Sequence, residues 1–570
     1  MTDQHTGTSL RDPITFEVAK NAFIALADEL AITVVRTAHS QVVRDSMDFS
    51  TAICDAAGRV IAQGLGIPLH LGAIPDAMNA LLKRFGDDIG PGDVFIFNDP
   101  DEGGMHLPDI FVIKPVFAGE ELVGYAAVVA HHADIGGRVP GGNAVDSTEI
   151  FQEGLQIPPL KLYDSGRLNE TLMTLLLRNV RIPAVVRGDL DAQLAACRTG
   201  EAGLLDLVSR YSAAGVSALA GEILDYTEGL VRAELARLPD GEYAFEDHID
   251  DDGFGSGPIP IRVTLVISGD ELRADFTGTS PQVRSALNAT PSFAKSAVYA
   301  GLKCVLPSDV PSNAGFQRPV SVNIPEGSIL APRRPAPRAA RGLTGFRTVD
   351  AVLGALAQAV PDRVAAAGEG GATMIAMGGT DADGDAFVFV DFMCGGWGAR
   401  PDRDGIDGAS ALAANLANVP VEEIELDQPV RVRRYGFVPD TGGPGRWRGC
   451  LSVVRELEFR EERGVLQVRS DRRRFLPYGL AGGHEGTPSA NVLDPDGDCR
   501  PLPTNTTCEI GRGEVFRHIT AGGGGHGDPA DRAIEDVLAD VLDEKLTPAY
   551  ALREYGVAVD LARGTAERVR

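Results

Sequence analysis

The chain has 570 residues, of which 44% are hydrophobic, and its formal net charge is −27. A surface this acidic repels phosphate backbones and anionic lipids, which argues against a nucleic-acid-binding or membrane-docking protein. The length predicts three or four domains or lobes, at roughly 150 residues for each.

Several features of the sequence indicate a cytoplasmic protein. The N-terminal residues MTDQHTGTSLRDP lack the basic and apolar segments of a secretory signal. No run of about 18 or more apolar residues occurs, so we expect no transmembrane helix. The 7 cysteines form no CxxC pair and their number is odd, which suits free thiols in a reducing compartment.

The first part of the chain is predicted to contain both helices and strands. Apolar residues recur every three or four positions over residues 14–36, which indicates an amphipathic helix. The turn chemistry of Ala56–Arg59 predicts a hairpin. The remaining elements expected here are strands at 49–55, 60–62, 94–97, 110–116 and 122–130, and a helix at 72–86.

Later segments are predicted as blocks of one type. Residues 168–237 are mostly helical by their apolar periodicity, and residues 240–330 are expected to return to strands. A Pro/Arg-rich connector, Ala331–Ala339, precedes a helix expected over about 348–359. Strands and turns are predicted for 385–520, followed by an amphipathic helix over Ala530–Glu544.

This grouping of helices and strands favours an α+β fold over a doubly wound sheet, in which the two would alternate strictly. We therefore predict a multi-lobed α+β chain with mixed sheets and a central helical block. The predicted domains are a metal-site α/β lobe (1–165), a helical block (166–240), an α/β lobe (241–384) and a strand-rich lobe with C-terminal helices (385–570).

The candidate site lies in residues 93–137. His106 and Asp109 are three positions apart, just before the strand expected at Ile110, and His131 ends a strand expected to pair beside it. A rigid sheet can direct such side chains into one cleft. Imidazole and carboxylate ligands suit Zn²⁺, Mn²⁺ or Fe²⁺, and a position left open would let the metal activate water. The spacing alone leaves open that these residues only cap turns in glycine-rich loops.

The glycine-rich segments carry no nucleotide-binding signature. Residues 521–527 (AGGGGHG) lack the lysine and the spacing of a P-loop, and no P-loop occurs elsewhere. The sequence has no GxSxG motif, and Cys394 has no histidine near it in sequence, so we predict neither a serine nor a cysteine nucleophile.

Several long motifs, in one order along nearly the whole chain, resemble the hydantoinase B/oxoprolinase family. They are Arg44–Asp55 (RDSMDFSTAICD), Asn98–Pro100, Gly103–Asp109, His131–Gly137, Glu153–Pro159, Asn179–Arg181, Gly188–Gln193, Gly395–Arg400, Pro439–Gly445 and Gly522–Pro529.

The resemblance implies an ATP-dependent enzyme made of two kinds of chain. Members of the family include hydantoinases, 5-oxoprolinases, other lactam-opening enzymes and subunits of ketone carboxylases. A separate A-type chain, or a fused half, binds ATP and phosphorylates the substrate carbonyl oxygen, while the B-type part carries a metal. This chain matches the B-type part, which is consistent with its missing P-loop. The implied partner is therefore a hydantoinase A-type ATP-binding subunit in a hetero-oligomer.

Carried over residue by residue, the family's metal ligands are Asp48, His106, Asp109 and His131. Of these, Asp48 rests on the resemblance alone. We predict catalytic roles for His132 and Asp134, as proton carriers or as partners that orient the ligands. The chain departs from many relatives at Asp101-Glu102 and at Gly342, which bears on the substrate more than on the metal.

The expected function is the hydrolysis of a cyclic amide whose carbonyl has been activated on the partner subunit. Two alternatives stay open. The chain could serve an ATP-dependent ketone carboxylase, which bicarbonate-dependent turnover would reveal. It could instead be a non-catalytic scaffold for the ATPase subunit, in which case the purified chain would contain no metal.

Overall fold

The computed structural model describes residues 12–371 and 373–569, so most of the N-terminal segment on which the absence of a signal was argued lies outside the described residues. The structure confirms the α+β class, because helices pack against several separate sheets. The α-helices are α1 Pro13–Thr37, α2 Gln41–Arg44, α3 Ala73–Phe85, α4 Glu170–Arg178, α5 Pro183–Tyr211, α6 Ala213–Leu235, α7 Pro291–Val305, α8 Ala314–Gln317, α9 Arg341–Ala359, α10 Val421–Asp427, α11 Ile534–Leu542 and α12 Pro548–Tyr555.

The strands form sheets of two to seven members. They are β1 Phe49–Asp55, β2 Val60–Gln63, β3 Val94–Phe97, β4 Asp109–Ala118, β5 Glu121–His131, β6 Leu160–Asp164, β7 Arg167–Leu168, β8 Gly241–Ile249, β9 Ile259–Ser268, β10 Glu271–Asp275, β11 Val320–Asn323, β12 Thr373–Thr380, β13 Ala386–Met393, β14 Val430–Val438, β15 Ser452–Phe459, β16 Arg463–Arg469, β17 Ala490–Leu493, β18 Arg500–Pro501, β19 Asn505–Gly511, β20 Val515–Ile519, β21 Val557–Asp560 and β22 Thr565–Arg568.

The largest sheet has the order β2-β1-β5-β4-β3-β6-β7, and all of its neighbouring strands are antiparallel. Alternate side chains of a strand point to opposite faces. One face, with Val112 and Val128, shares a buried cluster with α1 and α5. The other face, with Phe111 and Val129, shares a second cluster with α7 and α9. Both faces are therefore covered, and a polar side chain on either face is taken out of water.

Four further sheets lie outside this one, the smallest of which is the pair β21-β22. Strands β11-β10-β9-β8 form a mixed sheet in which only β10 and β11 are parallel. The orders of the two C-terminal sheets are β13-β12-β16-β19 and β14-β15-β20-β17-β18. One buried cluster reaches from Ala52 to Ala414, so the first and third predicted lobes and the start of the fourth share a core. The division into four lobes stays a prediction.

Four helices differ from the sequence-based expectation. Residues 240–330 were predicted as strands, but α7 and α8 lie within that range. Helix α10 lies within 385–520, which was predicted as strands and turns, and α9 begins at Arg341 instead of near residue 348. Helices α7 and α9 are buried on nearly every side, so neither has the wide exposed face that marks a surface helix.

Elsewhere the helices follow the predicted positions closely. Helix α1 begins at Pro13, where Asp12 accepts a hydrogen bond from the backbone N–H of Thr15 and caps the first turn. The last predicted amphipathic helix is shorter than expected and spans Ile534–Leu542. In residues 12–371 and 373–569, no helix combines the length and apolar character needed to cross a bilayer.

Candidate metal centre

Three of the predicted ligands lie side by side at one end of the seven-stranded sheet. Asp109 begins β4 and His131 ends β5, and the two residues are directly opposite each other in the antiparallel register. Asp48 immediately precedes β1, and its carbonyl oxygen accepts a hydrogen bond of 2.9 Å from the backbone N–H of His131. The backbone ladder therefore fixes the spacing of these residues before any side-chain contact is considered.

Strand periodicity places the three side chains on the same face. Phe111 and Val129, which are two positions from Asp109 and His131, belong to the buried cluster shared with α7 and α9. Residues two apart on a strand share a face, so Asp109 and His131 point towards those helices. Asp48 is likewise two positions before Ser50, a buried residue of β1, and so shares its face. All three are almost completely buried.

His106 joins the group from the loop before β4. Its Nδ1 lies 2.8 Å from Oδ2 of Asp109, although the two groups are not aligned as a hydrogen bond and the nitrogen has no hydrogen-bond partner among the described residues. The rings of His106 and His131 are 5.0 Å apart between centroids. The structure thus places the four predicted ligands at one end of the sheet, with His106 next to Asp109 and His131. Among residues 12–371 and 373–569, the candidate ligand atoms that all lie within 4.8 Å of one another include those of Asp48 and Asp109 but not those of His106 or His131.

His70 is a fifth member that the sequence analysis missed. It lies in the short 3-10 helix Pro68–His70, and its ring contacts Ser50, with 2.9 Å between Nδ1 and Oγ. Candidate ligand atoms of Asp48, His70 and Asp109 all lie within 4.8 Å of one another. The segment Ile67-Pro68-Leu69-His70 carries no metal-ligand spacing of its own, so only the tertiary contact with β1 identifies this residue.

Several buried atoms of the group have no hydrogen-bond partner in the part of the chain that the structure describes, namely Nδ1 of His106, Oδ1 of Asp109 and Nδ1 of His131. A buried polar atom without a partner costs about 1–3 kcal/mol, and such atoms are rare in folded proteins. Nitrogen and oxygen lone pairs converging in a buried pocket fit the ligand set of a divalent transition metal.

The imidazoles of the group are held in their neutral form. Burial lowers the pKa of His70 and of His106 to about 4, and it holds the pKa of His131 well below its usual value. Loss of water around the charged form is the largest cause in each case. Each ring therefore has a lone pair available for a metal near pH 7.

The two carboxyl groups differ in charge state. Burial, and then the neighbouring charge of Asp109, raise the pKa of Asp48 to about 8. Burial alone would also raise the pKa of Asp109, but Arg341 and then His106 outweigh it and hold that pKa well below its usual value. Arg341 contacts Asp109 directly through Nη2 and Oδ2. Two buried carboxyl groups this close need cations to keep both ionised.

A small cavity of about 40 Å³ adjoins the group and is lined in part by Asp48, His70 and His131. Two arginines that the sequence analysis missed, Arg341 and Arg469, line the same cavity. Burial, and then Arg341, lower the pKa of Arg469 to about 9, so this side chain is still protonated near pH 7.

A much larger cavity of about 950 Å³ lies next to the small one. The two share the lining residues Ile67, His70 and Leu416. Ser50, which contacts His70, also lines the larger cavity. The large cavity therefore ends at the edge of the candidate metal group.

His132 points away from this group. It follows His131 directly, so its side chain lies on the opposite face of the sheet, towards α5. Its Nε2 lies 3.0 Å from Oε1 of Gln193, and Nε2 of Gln193 donates to the carbonyl oxygen of Ile110 at 2.8 Å. The structure thus places His132 between the sheet and α5, where it contacts no predicted ligand.

Asp134 is also separate from the ligands. Its carboxylate accepts hydrogen bonds from the backbone N–H and the Nη1 of Arg181, at 2.7 and 2.9 Å, and from the backbone N–H of Gly141 at 3.2 Å. Asp101, another aspartate of this loop region, accepts from Nη2 of Arg338 at 2.7 Å. These aspartates hold loops around the group and do not point into it.

Known proteins of similar sequence match nearly the whole chain. The profile of the family described as hydantoinase B/oxoprolinase matches residues 12–529. A protein from Pseudomonas sp. (strain NS671), named as the B-type subunit of a D-/L-hydantoinase, is 34% identical over 585 residues, which cover 98% of this chain and 97% of that protein.

Two solved structures share the fold. The ATP-dependent caprolactamase from Pseudomonas jessenii matches with a TM-score of 0.92 and 33% identity, over 97% of this chain and 98% of that chain. A nucleotide-free acetone carboxylase structure matches with a TM-score of 0.89 over 98% of this chain and 81% of that chain. Its identity of 19% shows a common fold alone.

Proposed function

Because the chain belongs to the hydantoinase B/oxoprolinase family, we propose that it is the metal-bearing, B-type component of an ATP-dependent cyclic amidohydrolase. The observation that carries the proposal is the buried group in which ligand atoms of Asp48, His70 and Asp109 lie within 4.8 Å of one another. His106 and His131 lie beside them. This mixture of nitrogen and carboxylate ligands suits Zn²⁺, Mn²⁺ or Fe²⁺.

In this proposal Asp48, His106, Asp109 and His131 bind the metal, and His70 is a further ligand. A divalent cation bound there would polarise a substrate oxygen and lower the pKa of a water molecule. The protein's contribution is positional, because hydrogen bonds between β1, β5 and β4 hold the ligands on a rigid sheet. Ser50 fixes the ring of His70 through its contact with Nδ1.

We propose a cyclic amide as the substrate. Amide resonance makes the carbonyl carbon a poor electrophile, so direct attack by water is slow. Phosphorylation of the carbonyl oxygen on a partner chain would make this carbon electrophilic and create a good leaving group. The chain has no P-loop in its sequence, and one relative is itself named as one subunit of an enzyme. A hydantoinase A-type ATP-binding chain, in a cytoplasmic hetero-oligomer, would supply that step.

The large cavity is the route we propose for the activated substrate. Its volume of about 950 Å³ is larger than a small cyclic amide occupies, and its lining includes His70, which belongs to the metal group. Its lining also includes Trp397 and Tyr435, which offer aromatic surface to a ring.

For His132 and Asp134 the contacts support orienting roles more than proton transfer. The backbone N–H of His132 donates to the carbonyl oxygen of Pro108 at 2.8 Å, next to Asp109. Its ring contacts Gln193, which also bonds Ile110. Asp134 anchors Arg181 and the loop at Gly141. His132 and Asp134 would then act by holding the backbone next to Asp109 and the loop at Gly141 in place, without contacting the substrate.

A component of a ketone carboxylase is the second candidate, and the fold shared with acetone carboxylase favours it over other enzyme classes. There, an activated enol would react with CO₂ instead of water. Turnover that requires bicarbonate and leaves the ring intact would identify this reaction, whereas ring opening without bicarbonate would identify the hydrolase.

The deciding experiment is elemental analysis of the full chain, co-expressed with a hydantoinase A-type chain as the proposed partner and purified with and without it. We expect about one transition metal per chain in the wild type and almost none in His106→Ala. His518→Ala is the matched control, because His518 is equally buried but lies on β20, outside the group.

Loss of metal in both variants would point to a general folding defect, which a thermal melt would reveal. No stoichiometric metal in wild-type protein purified with its partner would contradict the metal centre and favour the scaffold alternative.

A further inference from the structure

Two buried arginines lie beside the proposed metal ligands. Arg341 starts α9 and Arg469 ends β16, and their exposed fractions are 6% and 4%. Both line the small cavity together with Asp48 and His131. The two arginines are far apart in the sequence. Helix α9, which carries Arg341, packs over the seven-stranded sheet, and β16, which carries Arg469, belongs to a C-terminal sheet.

With a divalent cation bound, Asp48 and Asp109 are carboxylates and the ligating imidazoles are neutral, because a protonated atom cannot bind a metal. The two carboxylates then cancel the charge of the cation. Arg341 and Arg469, which line the same cavity, leave an excess of two positive charges in a buried pocket. Unbalanced buried charge is costly, so a fold that only had to hold a metal would not need both arginines.

Arg341 is held in a fixed orientation. Its guanidinium contacts Oδ2 of Asp109 and lies over the ring of Phe293, 4.2 Å from the ring centroid. Its Nε is buried and has no hydrogen-bond partner within residues 12–371 and 373–569. An oriented guanidinium with a buried donor still unused is suited to an anionic ligand.

Arg469 is positioned by the backbone around it. It is paired with Met374 across β12, and its Nη1 lies 3.5 Å from the carbonyl oxygen of Ala339, two residues before Arg341. Both arginines line the same cavity of about 40 Å³, so two positive charges lie at the wall of one small buried space. An anion bound between them would relieve the repulsion between these charges.

We propose that Arg341 and Arg469 form a binding subsite for a doubly charged phosphoryl group next to the metal. This inference rests on the proposed metal centre. A phosphoryl dianion would cancel the two excess positive charges, whereas a carboxylate would cancel only one. The cavity of about 40 Å³ has room for about three water-sized groups, which matches the three terminal oxygens of a phosphoryl group. Guanidinium groups bind such oxygens in pairs.

The test measures the binding of inorganic phosphate to the metal-containing protein by isothermal titration calorimetry, after its metal content has been confirmed. Phenyl phosphate is titrated in parallel, because a subsite for activated substrate should accept a phosphate monoester as well as the free ion. Arg341→Lys and Arg469→Lys keep the charge but lose the two-pronged hydrogen bonding, and each should weaken phosphate binding about tenfold. Arg455→Lys is the control, since Arg455 is buried and paired with Asp391 outside the cavity.

Phosphate bound by the wild type and by Arg455→Lys, but weakly by both site variants with unchanged metal content, would support the subsite. Binding of phenyl phosphate as well would assign it to the substrate, and binding of inorganic phosphate alone would assign it to released phosphate. Wild-type protein that contains its metal but binds neither ligand would overturn the subsite and leave the metal centre standing. If the wild type contains no metal, both proposals fail, and thermal melts show whether either lysine variant has failed to fold.

Discussion

Ser50 and His70 are joined side chain to side chain, with 2.9 Å between Oγ and Nδ1, and this contact ties the short helix Pro68–His70 to strand β1. The same Oγ accepts a hydrogen bond of 3.0 Å from the backbone N–H of Ile67. The imidazole of His70 is thereby held with its other nitrogen free to face the group that contains Asp48 and Asp109.

Removing this contact should weaken metal binding without abolishing it. In Ser50→Ala the ring of His70 loses its orienting partner, and such losses typically cost about 10–100-fold in metal affinity. Competition with a chelator of known affinity measures the change. Ser489→Ala is the matched control, because Ser489 is also buried and bonded but lies away from the site. Equal metal affinity in wild type and Ser50→Ala would show that His70 is not a ligand.

Asp134→Asn should destabilise the fold while the protein keeps its metal. The substitution removes the charge that binds Arg181 and weakens hydrogen bonds to the buried loop, for an expected loss of about 1–3 kcal/mol. Urea unfolding and metal analysis measure the two effects. Asp191→Asn, which breaks an exposed pair with Arg187, should cost less than about 1 kcal/mol. A stable, metal-containing but inactive Asp134→Asn protein would instead support a role in proton transfer.

Glu153→Gln should stabilise the protein increasingly as the pH rises. Burial raises the pKa of Glu153 to about 8 from an ordinary value of 4.5, so between these values the folded state holds a proton that the unfolded state has released. Wild-type stability therefore falls over this range as pH increases. Glutamine cannot ionise, and its carbonyl oxygen can still accept from the N–H groups of Arg338 and Ala339.

Melting temperatures of wild type and Glu153→Gln, measured at about pH 5, 6, 7 and 8, test this. We expect the difference in favour of the variant to widen at each step. Glu17→Gln is the control for the same change of residue type at an exposed position on α1. A gap that stays constant or narrows for Glu153→Gln would mean that Glu153 is ionised in the folded protein.

A second buried network should matter for stability alone. Arg347, on α9, contacts Asp247 of β8 and Asp471 beyond β16, and it is completely buried. Truncating one partner of a buried ion pair typically costs about 3–5 kcal/mol, because the other charges stay buried. Arg347→Met should therefore lower the unfolding midpoint far more than Arg333→Met, which breaks an exposed pair with Glu326. Similar midpoints for both variants would contradict this.

Much of the candidate site could be predicted from local sequence. Asp109 and His131 lie at the ends of strands and His106 in the loop before β4, and the structure confirms that β4 and β5 pair with Asp109 opposite His131. Strand periodicity also implies that His131 and His132 face opposite ways, so the local sequence already separates His132 from the ligands. Asp48 came from the family resemblance, and the register of β1 against β5 places it in the same row.

Other parts could not be predicted because their local signal is absent. Helix α7 is buried on almost every side, so the narrow polar stripe in its sequence, from Ser292 to Lys303, does not mark the wide exposed face of a surface helix. His70 lies in a short 3-10 helix without a recognisable ligand spacing. Its role depends on Ser50, which belongs to a different element.

The sequence by itself determined the α+β class, the order of most elements and the family, because these depend on local periodicity and on motifs of adjacent residues. Only the tertiary structure decided which side chains lie opposite Asp48, Asp109 and His131. Arg341 comes from α9 and Arg469 from β16, and the packing of those elements over the sheet gives the pocket its charge. Long-range packing is selected by the burial of whole apolar faces, and no short segment encodes which polar side chains that packing brings together.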